Sequence, residues 1–370
     1  MSQGLTLGPE ARLALDSFRD YTVAHPLLRA ADEELRRFIA EPAGAALALV
    51  YGPTGVGKTT LVTRVQRVIN ESLAPELAAD GSRSGLTVVR LNAPEGSSFW
   101  RAFYLQLGAE LDDPFFDLPL RGRSNWGERA TAAELRSRVV AAVQGRRPPA
   151  VLIDEAHHFA LGVGPERLMQ QLEVIKSLAD ACEVPFVLVG TYSVLDLRNL
   201  NGQLSRRSID IHFRRYLPTS DMDVAGFRQT IQQLGQRLPV SAAGLADRWD
   251  TLYERTAGCI GILKQWLVRA AARALHDGSP TLEDGHLRRS GLGLDAMGAV
   301  TSEILNGEAI VAESSQKQTQ LRIALGLDGP ATGSLPGAGL HTDVGQAKKN
   351  RRRVGERSLT RDRVGVGTMP

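Results

Sequence analysis

The chain has 370 residues, 43% hydrophobic and 23% charged, a formal net charge of +3 and two cysteines, Cys182 and Cys259. This excludes a disulfide framework and a metal–thiolate centre, and the absence of any apolar run near the ~20 residues that span a bilayer excludes a helical membrane protein. The small positive balance, with a pI near 9.0, admits an anionic partner without demanding one; reduced thiols and an N-terminus without a basic-then-apolar leader lead us to expect a cytoplasmic protein.

Residues 1–44 read as helical, with apolar positions at Leu13, Leu15, Phe18, Leu28, Leu35, Phe38 and Ile39, interrupted at His25-Pro26. Ala45–Gly52, "AALALVYG", is a continuous apolar run ending in glycine, as in a strand buried on both faces of a parallel sheet. Helical spacing follows in "TTLVTRVQRVINESL". Further strands are expected at Leu86–Ala93, Pro149–His158, Val184–Tyr192 and Ser208–Tyr216, with "SSFWRAFYLQLGAEL" as an intervening helix. Strands alternating with helices imply an α/β fold, a P-loop domain with a central parallel sheet. From about Ser220 three helical stretches follow one another, so a small helical lid is expected. The chain divides into an N-terminal helical segment (1–44), a nucleotide-binding α/β domain (45–218), a helical lid (219–290), a Gly/Pro-rich linker (291–347) and a basic tail (348–370).

The stretch "GPTGVGKTT" carries the chemistry. Gly52, Gly57, Lys58 and Thr59 fit G-x-x-x-x-G-K-[ST], between an expected strand and an expected helix. The glycines let backbone N–H groups turn inward around an anion, and the helix adds the positive end of its dipole. Pro53, Thr54, Gly55, Val56 and Thr60 complete the phosphate cradle. Lys58 would reach the terminal phosphates of ATP, and the Thr59 hydroxyl would ligate Mg²⁺. In "VLIDEAHH", Asp154 at a strand end would hold the same Mg²⁺, and Glu155 would act as the base on an attacking water, which favours an ATPase over a metabolite kinase. His157 and His158 lack the cluster that would complete a metal site and read as helix-start residues. Thr191, ending the fourth strand, contacts the terminal phosphate or caps the next helix. Arg206 or Arg207, before the fifth strand, reaches a neighbouring subunit as an arginine finger or simply faces solvent.

This order of motifs, closed by the lid sequence "TAGCIGILKQWL", resembles the AAA+ ATPases over about residues 25–275. The resemblance implies that His25 and Pro26 line the adenine pocket. It also implies a sensor arginine in the lid, but none stands at Gly258–Gly261, and Lys264 is the nearest cation. Within that superfamily "HPLLRAADEEL", "YGPTGVGKTTL", "VLIDEAHHF", "LVGTYSVLDL", "RRSIDIHFRRY" and the tail "RRRVGERSLTRDRVG" look most like the TnsC/TniB transposition regulators. This closer resemblance implies an ATP-bound head-to-tail oligomer or helical filament on double-stranded DNA. It would join a target-selection protein of the TniQ/TnsD kind to a transposase in DNA recombination, with hydrolysis dismantling it.

The residues themselves support DNA only in part. Arg101, Arg121 and Arg123 are candidate backbone contacts or ordinary solvated arginines, and no base-reading motif is apparent. Residues 341–370 carry eight Lys or Arg (348, 349, 351, 352, 353, 357, 361, 363) against three acids (343, 356, 362), with Val354, Leu359 and Val364 between them. That pattern fits a segment docking on a partner protein, or a nonspecific nucleic-acid arm. The rival readings are a protein-remodelling or signalling AAA+ ATPase with protein partners only, and a small-molecule phosphotransferase.

Overall fold

In a computed structural model the described residues are 7–79, 87–95, 99–113, 116, 130–160, 164–199 and 208–327. In chain order they form α1 (Pro9–Asp20), α2 (Pro26–Ala40), β1 (Leu47–Tyr51), α3 (Lys58–Ala79), β2 (Val89–Asn92), α4 (Phe99–Glu110), α5 (Ala132–Arg146), β3 (Val151–Asp154), α6 (Pro165–Cys182), β4 (Phe186–Gly190), α7 (Val194–Asn199) and β5 (Ser208–His212). Then come α8 (Asp221–Gly235), α9 (Trp249–Glu254), α10 (Ile260–His276), α11 (Asp284–Ser290) and α12 (Leu294–Val311). Beyond Glu313 a separate unit contributes one described helix, α13 (Ser315–Ala324), with no buried residue.

The five expected strands form one parallel sheet in the order β2-β3-β4-β1-β5. Every residue of β1, β3 and β4 is buried, as a sheet covered on both faces requires. Alternate side chains serve opposite faces. Leu47, Leu49, Ile153 and Leu188 pack with residues of α4, α5 and α6, whereas Ala48, Val50, Leu152 and Val187 pack with α2 and α3. Because the strands are parallel, the loop after β1, the acid ending β3 and the turn after β4 all emerge along one carboxyl edge, where open α/β sheets bind ligands.

The lid has its own core, built on Phe227, Ile231, Leu263, Trp266 and Leu267. Two sequence-level boundaries change. The N-terminal segment does not act as one piece: Leu15 and Phe18 of α1 are buried in the lid core, whereas Leu28, Leu35 and Phe38 of α2 pack under the sheet. The expected linker from residue 291 begins instead with α12, whose Met297 and Ile304 join Ala257, Cys259 and Ile262 in a small apolar cluster. A helix with so few buried positions writes only a faint 3.6-residue period. No described helix is long and apolar enough to cross a membrane.

Candidate nucleotide site

The loop between β1 and α3 turns on Gly55 (φ +76°) and Gly57 (φ +117°), backbone conformations that L side chains rarely adopt. Gly52 answers a different need: a Cβ there would stand 2.1 Å from the Phe213 carbonyl oxygen, so the loop leaves the sheet against bare backbone. Lys58 Nζ donates to the carbonyl oxygens of Gly52 and Pro53, both at 2.9 Å. Burial lowers its pKa; Glu155 first, then Cys259, Asp154 and Glu303, pull the other way. A half-buried ammonium whose hydrogen bonds go to neutral carbonyls retains charge for an anion, and the left-handed glycines open the backbone around it. The residues present therefore fit a phosphate tail.

Asp154 is 3% exposed, and each of its carboxylate oxygens has a partner. Its Oδ1 accepts from the Glu155 N–H at 3.0 Å, and its Oδ2 pairs with Arg90 Nη2 at 3.1 Å. Arg90, on β2 beside β3, also donates to Thr63 Oγ1 of α3 at 2.7 Å, tying the acid to the helix behind the loop. Glu155 sits in the left-handed region (φ +53°, ψ 33°). For a residue with a Cβ that strain costs about 1–2 kcal/mol, and it turns the carboxylate off the strand end, leaving it half exposed. His157 Nδ1 stands 3.1 Å from Glu155 Oε2, without alignment for a hydrogen bond. Burial lowers the His157 pKa, with Glu155 opposing. His158 turns away, its Nδ1 3.2 Å from the Ala93 carbonyl oxygen. Both histidines lie in the short 3₁₀ turn Ala156–Phe159, and no cluster of three or more His, Cys, Asp or Glu side chains placed to hold a metal occurs among the described residues.

Thr191 follows β4 directly, half-buried, its Oγ1 2.9 Å from Ser193 Oγ, while its carbonyl accepts from the Val194 N–H. It thus stands on the same sheet edge as the loop and the Asp154-Glu155 pair. The lid reaches this edge too. The Ile262 N–H donates to the Gly55 carbonyl at 3.2 Å, so the first turn of α10 touches the loop.

Beside the loop a cleft is lined by His25, Leu28, Val56, Thr60, Phe213 and Lys264, among others. His25 is 4% exposed and caps α2, its Nδ1 3.4 Å from the Leu28 N–H and 3.1 Å from Tyr216 Oη. Burial first, and then the Arg29 charge, bring its pKa down to about 4, so the ring is neutral at physiological pH and Nδ1 accepts. It stacks on Phe213 with centroids 6.1 Å apart, an apolar wall suited to a flat base. Pro26 opens α2 immediately behind it. Lys264 reaches the cleft, but its Nζ donates to the Arg19 carbonyl at 2.6 Å and burial lowers its pKa. It ties α1 to the lid in this arrangement.

Arg101 is half-buried, its Nη1 donating to the Ala130 carbonyl at 2.7 Å. Arg121, Arg123, Arg206, Arg207 and the basic tail lie outside the described residues. Arg90, Phe213, Tyr216 and Glu303 went unread in the sequence. Arg90 and Phe213 lie within expected strands, where a cation in an apolar run was the one visible sign.

A parallel sheet with a glycine-lined lysine loop, a strand-end Asp-Glu pair and a helical lid defines an AAA-type P-loop ATPase fold. Residues 41–198 match the family model described as an AAA domain. Among solved structures the chain is similar to the ADP form of the ORC2 protein of Aeropyrum pernix (17% identity, TM-score 0.51, covering 75% of this chain and 71% of that one). It is similar also to the Aeropyrum pernix ORC1 protein in complex with DNA (16% identity, TM-score 0.50, 86% and 76% covered). A further likeness is to Drosophila ORC bound to DNA (16% identity, TM-score 0.48, 88% and 76%). At these identities the likeness to the two Aeropyrum pernix structures speaks for the fold alone. No curated protein sequence matches the chain.

Proposed function

We propose that this protein is an ATP-dependent switch that assembles on double-stranded DNA without sequence preference, as a transposition regulator of the TnsC/TniB kind. One observation carries the ATPase part: a half-buried Lys58 ammonium hydrogen-bonded to the Gly52 and Pro53 carbonyls shares the sheet's carboxyl edge with Asp154, Glu155 and Thr191. Mg²⁺-ATP, when bound, would supply the phosphoanhydride bond and a metal charge to offset the phosphates. Lys58 and the loop N–H groups, from Gly52 to Thr60, would hold the phosphate tail. Thr59 and Asp154 would hold the metal, with Arg90 keeping the carboxylate in place. Glu155, turned outward by its left-handed backbone, would orient a water and take its proton; Thr191 would fix the far side of that water. His25, Pro26 and Phe213 would line the base, and Lys264 would move off Arg19 to act on the phosphates.

The assembly part is supported by motif order and by the fold likeness to an ORC1 protein in complex with DNA. Arg206 or Arg207 would enter the neighbouring copy's site, a head-to-tail contact that makes a ring or an open filament. Arg101, Arg121 and Arg123 would follow the phosphate backbone, few contacts per copy being multiplied along the polymer. The tail would dock a transposase or a target-selection protein of the TniQ/TnsD kind. Electron microscopy of the protein with duplex DNA and a non-hydrolysable ATP analogue tests this. Regular assemblies that vanish in Lys58→Ala are expected; a protein that stays solitary on DNA with nucleotide refutes the assembly reading.

A further inference from the structure

The helix α12 lies against the lysine loop and is fastened at three points. Glu303 Oε1 accepts a hydrogen bond from Thr54 Oγ1 of the loop at 2.9 Å. One turn on, Gly307 backs onto the Tyr192 ring so closely that a Cβ would stand 2.0 Å from its Cδ2. Glu308 then forms a two-pronged ion pair with Arg215, Nε to Oε1 at 2.7 Å and Nη2 to Oε2 at 3.0 Å. That arginine is itself fixed, its Nη1 donating to Tyr253 Oη at 2.6 Å and to the Ala257 carbonyl at 3.2 Å. Met297 and Ile304 seat the helix on Cys259 and Ile262 of the lid. The strap thus touches the loop through Thr54, the end of β4 through Tyr192, and the lid.

Its charge has the wrong sign for a neighbour of a phosphate tail. Held on Thr54 of the loop, Glu303 adds a third carboxylate to those of Asp154 and Glu155, and its field, weaker than that of Glu155, is felt at Lys58 and His157. That carboxylate helps balance the half-buried Lys58 ammonium. A nucleoside triphosphate takes over this task and brings more negative charge than a diphosphate, so the repulsion it meets from a seated strap is greater.

We propose that Glu303 is a specificity-determining residue of the phosphate site, and that α12 is the strap that carries it. A seated strap and a bound nucleoside triphosphate disfavour each other, whereas a diphosphate leaves the strap in place. The Arg215–Glu308 pair and the Gly307–Tyr192 contact hold the strap down; a triphosphate lifts Glu303 from Thr54. This rests on reading the Lys58 loop as the triphosphate site and is independent of DNA or protein partners.

The test is equilibrium titration of the full chain with ADP and with a non-hydrolysable ATP analogue, together with hydrogen exchange over residues 294–311. Glu303 is exposed on its outer side, so E303Q is isosteric and spares the core. E303Q is expected to tighten the triphosphate analogue by about fivefold and ADP by less than about twofold, the field being partly screened by solvent. E308Q and G307A, which loosen the strap elsewhere, should shift the same ratio in the same direction. Exchange protection of 294–311 should persist with ADP and fall with the triphosphate analogue. An unchanged triphosphate-to-diphosphate ratio in E303Q, or protection that rises with the triphosphate, overturns the strap while leaving the site. A wild-type chain that binds neither nucleotide overturns both.

Discussion

His25 ties the acid sensitivity of the fold to the candidate base-binding cleft. The residue is 4% exposed, with its pKa depressed from 6.5 to about 4, chiefly by burial and further by Arg29. Protonation would set a cation in the lid–sheet crevice and remove the lone pair that caps α2 and meets Tyr216 Oη. Because the folded pKa lies below the unfolded one, the unfolded chain binds the extra proton between them. The contribution is therefore complete above pH 6.5 and is lost as the pH falls towards 4. The full depression corresponds to roughly 3 kcal/mol, and lowering the pH from 7.5 to 4.5 should remove about 2.5 kcal/mol of it. Urea unfolding of the wild type and of His25→Asn across that range isolates the effect. Asparagine still caps a helix but does not titrate, and the other buried histidines cancel in the difference. The wild-type advantage over His25→Asn should shrink by about 2.5 kcal/mol on acidification. Parallel pH profiles would refute the reasoning and place the ring in contact with solvent.

Glu155→Gln should cut phosphate release on the order of 100-fold and leave ATP-bound assemblies long-lived; turnover near wild type would remove Glu155 from the base role. Gly52→Ala drives a Cβ to 2.1 Å from the Phe213 carbonyl oxygen, backbone that cannot swing aside, and should destabilise the fold by about 2–3 kcal/mol in urea. An unaltered unfolding midpoint would show that β1 and β5 do not meet so closely. Removal of residues 341–370 should leave ATP and DNA binding intact while disconnecting the partner in a pull-down; loss of DNA retention instead would make the tail a nucleic-acid arm.

The fold was legible where the signal was local. Apolar runs of strand length marked β1, β3 and β4, which are covered on both faces and leave no polar alternation to blur them, whereas the edge strands β2 and β5 are partly exposed. The lysine loop and the Asp154-Glu155 pair stood out as candidates because each set is made of neighbours in sequence. The features that escaped are held by distant partners. Arg90 meets Asp154, 64 residues on, and Arg215 meets Glu308, 93 residues on. Thr54 meets Glu303 across 249 residues. No periodicity announces such pairs. α12 was hidden for a related reason: its apolar residues are mostly exposed rather than set on one buried face, and the Gly/Pro-rich stretch that follows masks its period. Lys264 illustrates the converse: the nearest cation to an expected sensor position is occupied by a carbonyl of α1.

Phe213 belongs to the core beneath the sheet and Tyr216, three residues on, to the core of the lid; His25 touches both rings. About 10 Å of extended chain thus joins the two bodies. Such a coupling has almost no slack. Whatever shifts His25 against Phe213 would also shift it against Tyr216, so the wall of the cleft and the core of the lid are set by one side chain.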